Sequence, residues 1–216
     1  MCGILGTVPA STPEIFKPAL DTLTHRGPDS FGIESFGKKA TLGQRSLSIL
    51  DLYQNGHHHM LEESGRYAVV FNGEIYNFLE IKKELVKKGY TFKSTSDTEV
   101  LLKAYLQWGE ACVTKFNGMW AFAIWDNLTD VLFLSRDRYG QKPLFYANVQ
   151  GKFIFASEMK AIFPFIDHLE IADDFHWMKN NVFYYEATEK CLVKGIKHFG
   201  PFNGGSKEVR GPIDLF

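Results

Sequence analysis

A chain of 216 residues, 45% apolar and 23% charged, is long enough for one sizeable core and too evenly mixed for a disordered or fibrous chain. A formal net charge of −1 and a densest basic stretch (Lys82, Lys83, Lys87, Lys88) broken by Glu80 and Glu84 argue against a nucleic-acid surface. No apolar run reaches the ~18 residues of a membrane span, no secretory leader is evident, and Cys2, Cys112 and Cys191 lack the spacing of a disulfide framework or a zinc site, so a reducing, cytoplasmic setting is expected.

The chain opens on a short buried strand, Cys2 to Val8. Ser11-Thr12-Pro13-Glu14 is a helix entry, with a hydroxyl cap, proline in the first turn and an acid near the positive helix end; the helix stops before Arg26-Gly27-Pro28. Strand-like runs follow at Phe31–Phe36, Ala40–Gly43, Ser46–Leu50 and Tyr67–Phe71. Phe78, Ile81, Leu85 and Val86 fall at helical spacing within Asn77–Lys88, and Gly89 suits its end. A second helix is expected from Thr98 to Trp108. Four strands come next, at Met119–Trp125, Val131–Ser135, Leu144–Asn148 and Phe153–Ala156, with turn chemistry at Asp126-Asn127, Tyr139-Gly140 and Gln150-Gly151. Strands, two helices, then strands describe an α+β layered arrangement. Nineteen Phe and nine Tyr favour β-rich packing. The stretch from about Gly195 is rich in Gly, Pro and Lys and is read as a linker or frayed end, which gives a domain over 1–195 and a linker or disordered tail over 196–216.

Chemistry concentrates at Cys2. A free α-amine has a reference pKa of about 7.7–8.0 and a thiol about 8.5. Loss of Met1 would therefore give Cys2 a nucleophile and a base on one residue, an established activation scheme. Two letters alone fit a buried core cysteine better.

The wider sequence carries Cys2-Gly-Ile, His25-Arg-Gly-Pro-Asp29, Gln44-Arg-Ser-Leu-Ser-Ile-Leu-Asp51, Phe71-Asn-Gly-Glu-Ile-Tyr-Asn77, Ser96-Asp-Thr-Glu-Val100, Asn117 to Asp126, Ser135 to Tyr146 and Phe155 to Ile162. In order and spacing, over roughly residues 2 to 165, these strings resemble the glutaminase domain of glutamine-hydrolysing asparagine synthetases. That domain is a class-II glutamine amidotransferase of the N-terminal-nucleophile hydrolase type. The resemblance implies a four-layer αββα sandwich that hydrolyses the side-chain amide of glutamine to glutamate and ammonia. It implies no cofactor for the glutaminase half, with ATP and Mg only if a separate synthetase partner exists.

Site residues follow from the same resemblance. Cys2 is the expected nucleophile, its α-amine the base, and Asn72 and Gly73 the oxyanion hole. Read alone, Asn-Gly after a strand is also a hairpin turn. Arg45, Glu74 and Asp97 are the expected clamp for the zwitterionic end of glutamine: Arg45 on the α-carboxylate, where a planar fork suits two oxygens, and the two acids on the α-ammonium. Asp97 would also serve as a helix N-cap. Backbone groups of Ser46, Leu47, Ser48 and Ile49 are expected to touch the substrate. Arg26 and Asp29 would brace the loop beside the nucleophile, and Arg136, Asp137 and Arg138 are read as structural or interfacial.

Two departures stand out. His58-His59, after Gly56-His57, replace the family's usual Gln-Pro, and the fixed φ of proline is lost there; adjacent residues of an extended chain point to opposite faces, which argues against a metal. No ATP-pyrophosphatase motif is present, since Asn203-Gly-Gly-Ser206 lacks the acid and the preceding strand. The expected partners are therefore glutamine and a synthetase domain or subunit in trans, with room for a homo-oligomer. The alternatives are a non-catalytic glutamine-binding relic of the fold, or the glutaminase of another class-II amidotransferase.

Overall fold

The computed structural model describes residues 1–47, 61–62, 64–180, 189–200 and 206–210, the last five by their backbone alone. The expected contacts of Ser48 and Ile49 and the histidine run 57–59 lie outside the described residues.

Among the described residues, ten strands form two antiparallel sheets. The first takes β1 (Gly3–Val8), β2 (Ser30–Phe36), β3 (Ala40–Ser46), β7 (Phe145–Val149), β8 (Lys152–Ala156) and β9 (Ile196–His198), in the order β2-β3-β1-β8-β7-β9. The second takes β4 (Tyr67–Ile75), β5 (Gly118–Asp126), β6 (Val131–Arg136) and β10 (Ser206–Arg210), in the order β10-β6-β5-β4. Helix α1 (Pro13–Asp21) covers the first sheet, and α2 (Phe78–Lys87) and α3 (Asp97–Trp108) cover the second. A short α4 spans Phe175–Asn180.

Strand alternation builds the layers. A strand buried on both faces sends successive side chains into different cores. In β1, Ile4 and Val8 join Ala68 and Val70 of β4 in the core between the sheets, whereas Leu5 packs with Phe16, Leu20 and Leu23 beneath α1. In β4 the odd residues Val69 and Phe71 pack outward against Ile81, Leu85 and Val100 of the other helical layer. The result is an αββα sandwich with its main core between the sheets. β1 is central in its sheet, paired with β3 on one side and β8 on the other, so the chain start is built into the core.

The structure differs from the sequence reading at several points. The runs 40–43 and 46–50 begin as one continuous strand, β3, because Gly43 and its neighbours stay paired with both β1 and β2. Asn72-Gly73 is no turn; both residues lie inside β4, paired with Ala121 and Trp120 of β5. Ser96, not Asp97, caps α3: its hydroxyl accepts the Glu99 N–H at 3.3 Å. Part of the stretch taken as a linker or tail over 196–216 is sheet: 196–198 pairs with β7 and 206–210 with β6. These segments are short and lack strong alternation, so their partners, and not their own pattern, make them strands.

Asp137 and Arg136 have the structural role expected of them. The Asp137 carboxylate accepts N–H groups from Trp120, Tyr139, Gln141 and Lys142, and the Arg136 guanidinium donates to the carbonyls of Gly140, Lys142 and Phe199.

Candidate active site

The start of β1 is held firmly. Ser157, just past β8, exchanges two hydrogen bonds with Ile4: its Oγ accepts the Ile4 N–H at 3.0 Å and its own N–H donates to the Ile4 carbonyl at 2.9 Å. Arg26 Nε donates to the Cys2 carbonyl at 3.2 Å, while Arg26 Nη1 binds Glu158 at 2.7 Å. Glu158 is also bound by His25 and Lys160. Burial alone would raise its carboxyl, but Arg26, His25 and Lys160 bring it down to about 2. The loop carrying Arg26 lies tight against β3, where a Cβ on Gly27 would stand 2.3 Å from the Arg45 carbonyl carbon. The backbone of Cys2 is thus fixed from two directions, and its thiol is reduced and partly exposed.

Alternation decides what faces the thiol. Gly3 lies opposite Arg45 and Ile4 opposite Gln44. A Cβ on Gly3 or Gly43 would meet Leu23 or Phe16, on the α1 side. Continuing that alternation, Cys2, Gln44 and Ser46 face the space between the sheets, and Arg45 faces the helix. Arg45 is buried there, ion-paired with Asp21 at the end of α1, with its guanidinium 5.0 Å from the centre of the Phe31 ring. Lys17 holds the same aspartate at 2.6 Å. Arg45 was expected to grip substrate carboxylate; the parity of β3 sends it to the opposite face of the sheet from Cys2.

Across the inter-sheet space runs the outer edge of β4. Trp120 of β5 points both its N–H and its carbonyl away from β4, to Asp137. Its partner Gly73 is therefore a non-hydrogen-bonded pair, and the N–H groups of 71, 73 and 75 all point outward from the sheet. Two have side-chain acceptors: Phe71 N–H donates to Gln44 Oε1 at 3.0 Å, and Ile75 N–H to Asp97 Oδ2 at 2.9 Å. The middle one, Gly73, has no acceptor among the described residues. Beside it the Asn72 side chain, 1% exposed and turned toward the inter-sheet core by the parity of Ala68 and Val70, has no partner among the described residues on either its nitrogen or its oxygen. A buried amide without a partner costs about 1–3 kcal/mol and marks a place where a ligand belongs. Glycine is required at 73, since a Cβ would stand 2.3 Å from the Met119 carbonyl oxygen and pry β4 from β5.

Two carboxylates flank this edge. Asp97 opens α3 half-buried, and burial raises its carboxyl; the Ile75 N–H opposes that shift and the nearby charge of Glu74 adds to it. Glu74 is exposed and has no hydrogen-bond or ion-pair partner among the described residues. Two acids with no cation bound to them suit a ligand that brings its own positive charge.

Of the residues singled out from sequence, the structure gathers Cys2, Ser46, Asn72, Gly73, Glu74 and Asp97 at one end of the sandwich and leaves Arg45 on the other face of its sheet. Residues that the sequence reading did not assign to the site are Gln44, Ser157 and Glu158. Gln44 could have been found by counting parity from the buried Leu42; the other two depend on contacts made across the fold.

Two antiparallel sheets between helical layers, with a cysteine leading into a central strand, are the fold of the N-terminal-nucleophile hydrolases. The fold matches glutamine phosphoribosylpyrophosphate amidotransferase from B. subtilis with a TM-score of 0.63 at 20% identity, over 97% of this chain and 49% of that one. Residues 1–207 match the glutamine amidotransferase domain family, and the chain belongs to it. Among curated relatives it is 40% identical to asparagine synthetase [glutamine-hydrolyzing] 1 of Bacillus subtilis, over 79% of this chain and 28% of that protein. It is 39% identical to putative asparagine synthetase [glutamine-hydrolyzing] 2 of Methanocaldococcus jannaschii, over 75% of this chain and 35% of that protein. The chain thus spans about a third or less of the length of these relatives.

Proposed function

We propose that this chain hydrolyses the side-chain amide of glutamine with Cys2 as nucleophile, and that the ammonia serves an asparagine-synthetase-like acceptor. The observation that carries the reading is the open Gly73 amide next to the unpartnered Asn72 side chain, on the strand edge that faces Cys2.

In the first half-reaction the Cys2 sulfur bonds to the amide carbon, and the carbonyl π pair moves to oxygen. Gly73 N–H and the Asn72 side-chain amide receive that oxyanion. Preorganised donors of this kind are worth more to the charged intermediate than to the neutral amide, which is what lowers the barrier. The thiol proton travels to the amide nitrogen by way of the Cys2 amine, the carbon–nitrogen bond breaks, and ammonia leaves a thioester. Water then adds to the thioester, giving a proton to the same amine. The carbon–sulfur bond breaks, glutamate departs and the sulfur recovers its proton. With Met1 attached, the Cys2 nitrogen is a peptide amide without a basic lone pair, so activity requires removal of that exposed residue.

Glu74 and Asp97 hold the α-ammonium. With Arg45 turned to α1, backbone groups of Ser46, which ends β3, and of Leu47, Ser48 and Ile49, which follow it in the sequence, are left to meet the α-carboxylate. The glutaminase chemistry uses no cofactor; ATP and Mg belong to the acceptor half.

The test is release of glutamate and ammonia from glutamine by the purified chain, beside Cys2→Ala, with intact mass establishing whether Met1 is gone. Release that disappears in Cys2→Ala is expected. Equal traces from both proteins, on chain lacking Met1, would leave a glutamine-binding domain without catalysis.

A further inference from the structure

We infer that Gln44 is a positioning residue that locks the strand bearing the oxyanion hole onto the sheet bearing the nucleophile; the inference rests on the glutaminase reading above. Gln44 lies opposite Ile4 on β3, on the face shared with Cys2. Its Oε1 accepts the Phe71 N–H at 3.0 Å and its Nε2 donates to Ser46 Oγ at 3.2 Å. One side chain therefore crosses from the first sheet to the outer edge of the second, two residues before Gly73, and is itself steadied by the strand it leaves.

The geometry explains why a strut is needed. The cores of the two sheets meet through apolar contact, which is non-directional and lets layers slide by fractions of an ångström. Catalysis tolerates no such slide, since about 1 Å of misplacement can cost on the order of 10²-fold in rate. Phe71 is 4% exposed, so its outward N–H cannot turn to water, and Gln44 supplies the acceptor. The same contact selects the open donor. Of the outward N–H groups at 71, 73 and 75, Gln44 occupies the first and Asp97 the third, leaving Gly73 for the substrate oxygen. Gln44 touches neither the thiol nor the reacting carbonyl, and its contribution passes through Phe71 to Gly73.

Gln44→Met keeps length and bulk and removes both hydrogen bonds. The expected result is a kcat for glutamine lowered about 10- to 100-fold with KM within about 3-fold. Glutamate γ-semialdehyde gives a sharper readout: the thiol adds across its aldehyde carbonyl and leaves an oxygen in the hole. Its inhibition constant should weaken by nearly the same factor as kcat, while that of the product glutamate stays put. Alkylation of Cys2 by iodoacetamide should be unchanged within about 2-fold, since it needs the thiol and not the hole. If Gln44→Met does not fold, Ser46→Ala loosens the strut from its other end and should give the same pattern at about 2- to 5-fold. An inactive wild type would overturn the glutaminase reading. An active wild type with unchanged kcat and aldehyde inhibition in the variants, or with aldehyde and glutamate weakened alike, would overturn the role of Gln44.

Discussion

The carboxylates on the two sides of this sandwich are the same chemical group in opposite circumstances. Around the first sheet, Asp21 is gripped by Lys17 and Arg45, and Glu158 by Arg26, His25 and Lys160. For both, burial pushes the carboxyl up and the cations win, so both end below the usual range. Beside β4, Asp97 is pushed up by burial with Glu74 adding to the shift, and no lysine or arginine is bound to either among the described residues. The paired acids hold α1 and the chain start in place. The unpaired acids carry an electrostatic cost that a bound ammonium would relieve. Satisfied charge builds the frame, and the proposed glutamine reading gives the unsatisfied charge its partner.

Substitutions can break that contrast. The largest expected effect is Asp97→Asn, which keeps an oxygen for the Ile75 N–H and removes the charge. KM for glutamine should rise about 10- to 100-fold, as for losing a charge-assisted hydrogen bond worth about 1.5–3 kcal/mol. Stability should hold or rise. A carboxyl whose folded pKa is raised penalises the fold once pH exceeds its unfolded value, and the amide removes that penalty. A lower Tm with unchanged KM would put Asp97 among the structural acids.

Glu158→Gln should do the reverse. Arg26, 10% exposed at its side chain, loses its carboxylate, and about 1–3 kcal/mol is expected to go with it. That is a Tm lower by about 3–10 °C for a chain of this size. Because Arg26 also holds the Cys2 carbonyl, kcat should fall about 3- to 10-fold with KM steady.

Arg45→Met is smaller still. It removes the ion pair with Asp21 and keeps the apolar stem against Phe31, so a loss of about 1–2 kcal/mol is expected. KM should stay within about 3-fold; a rise comparable to that of Asp97→Asn would return Arg45 to the clamp and break the comparison.

The smallest effect is the acid limb of stability. Glu158 and Asp126, the latter lowered to about 2 chiefly by Arg66, have folded pKa values below their unfolded ones. Their contribution is complete above about pH 4.5 and drains away as pH falls toward about 2. Asp97 has the opposite sign and offsets part of that loss. Urea midpoints from pH 6 to 2.5 should drop less steeply in Glu158→Gln than in the wild type.

Much of this was legible in the chain. The helices at 78–87 and 97–108 and the strands of both sheet centres follow from apolar spacing, because local periodicity carries that information. Turn chemistry misled at Asn72-Gly73, where pairing with β5 overrides local preference and keeps the strand straight. The short strands at 196–198 and 206–210 escaped because they borrow their conformation from β7 and β6. At the site, the order of the strings brought Cys2, Asn72, Gly73, Glu74 and Asp97 to notice. Arg45 was assigned from the resemblance, and the structure pairs it with Asp21 on the α1 side of β3.

The sequence by itself determined the family and the layered α+β class, because residue types at fixed spacing carry those. Tertiary structure alone decided which face each strand residue occupies, which outward amide of β4 stays open and which carboxylates find a cation. Those outcomes depend on which distant strand lies alongside, and a shift of one residue in that register turns every side chain to the other layer.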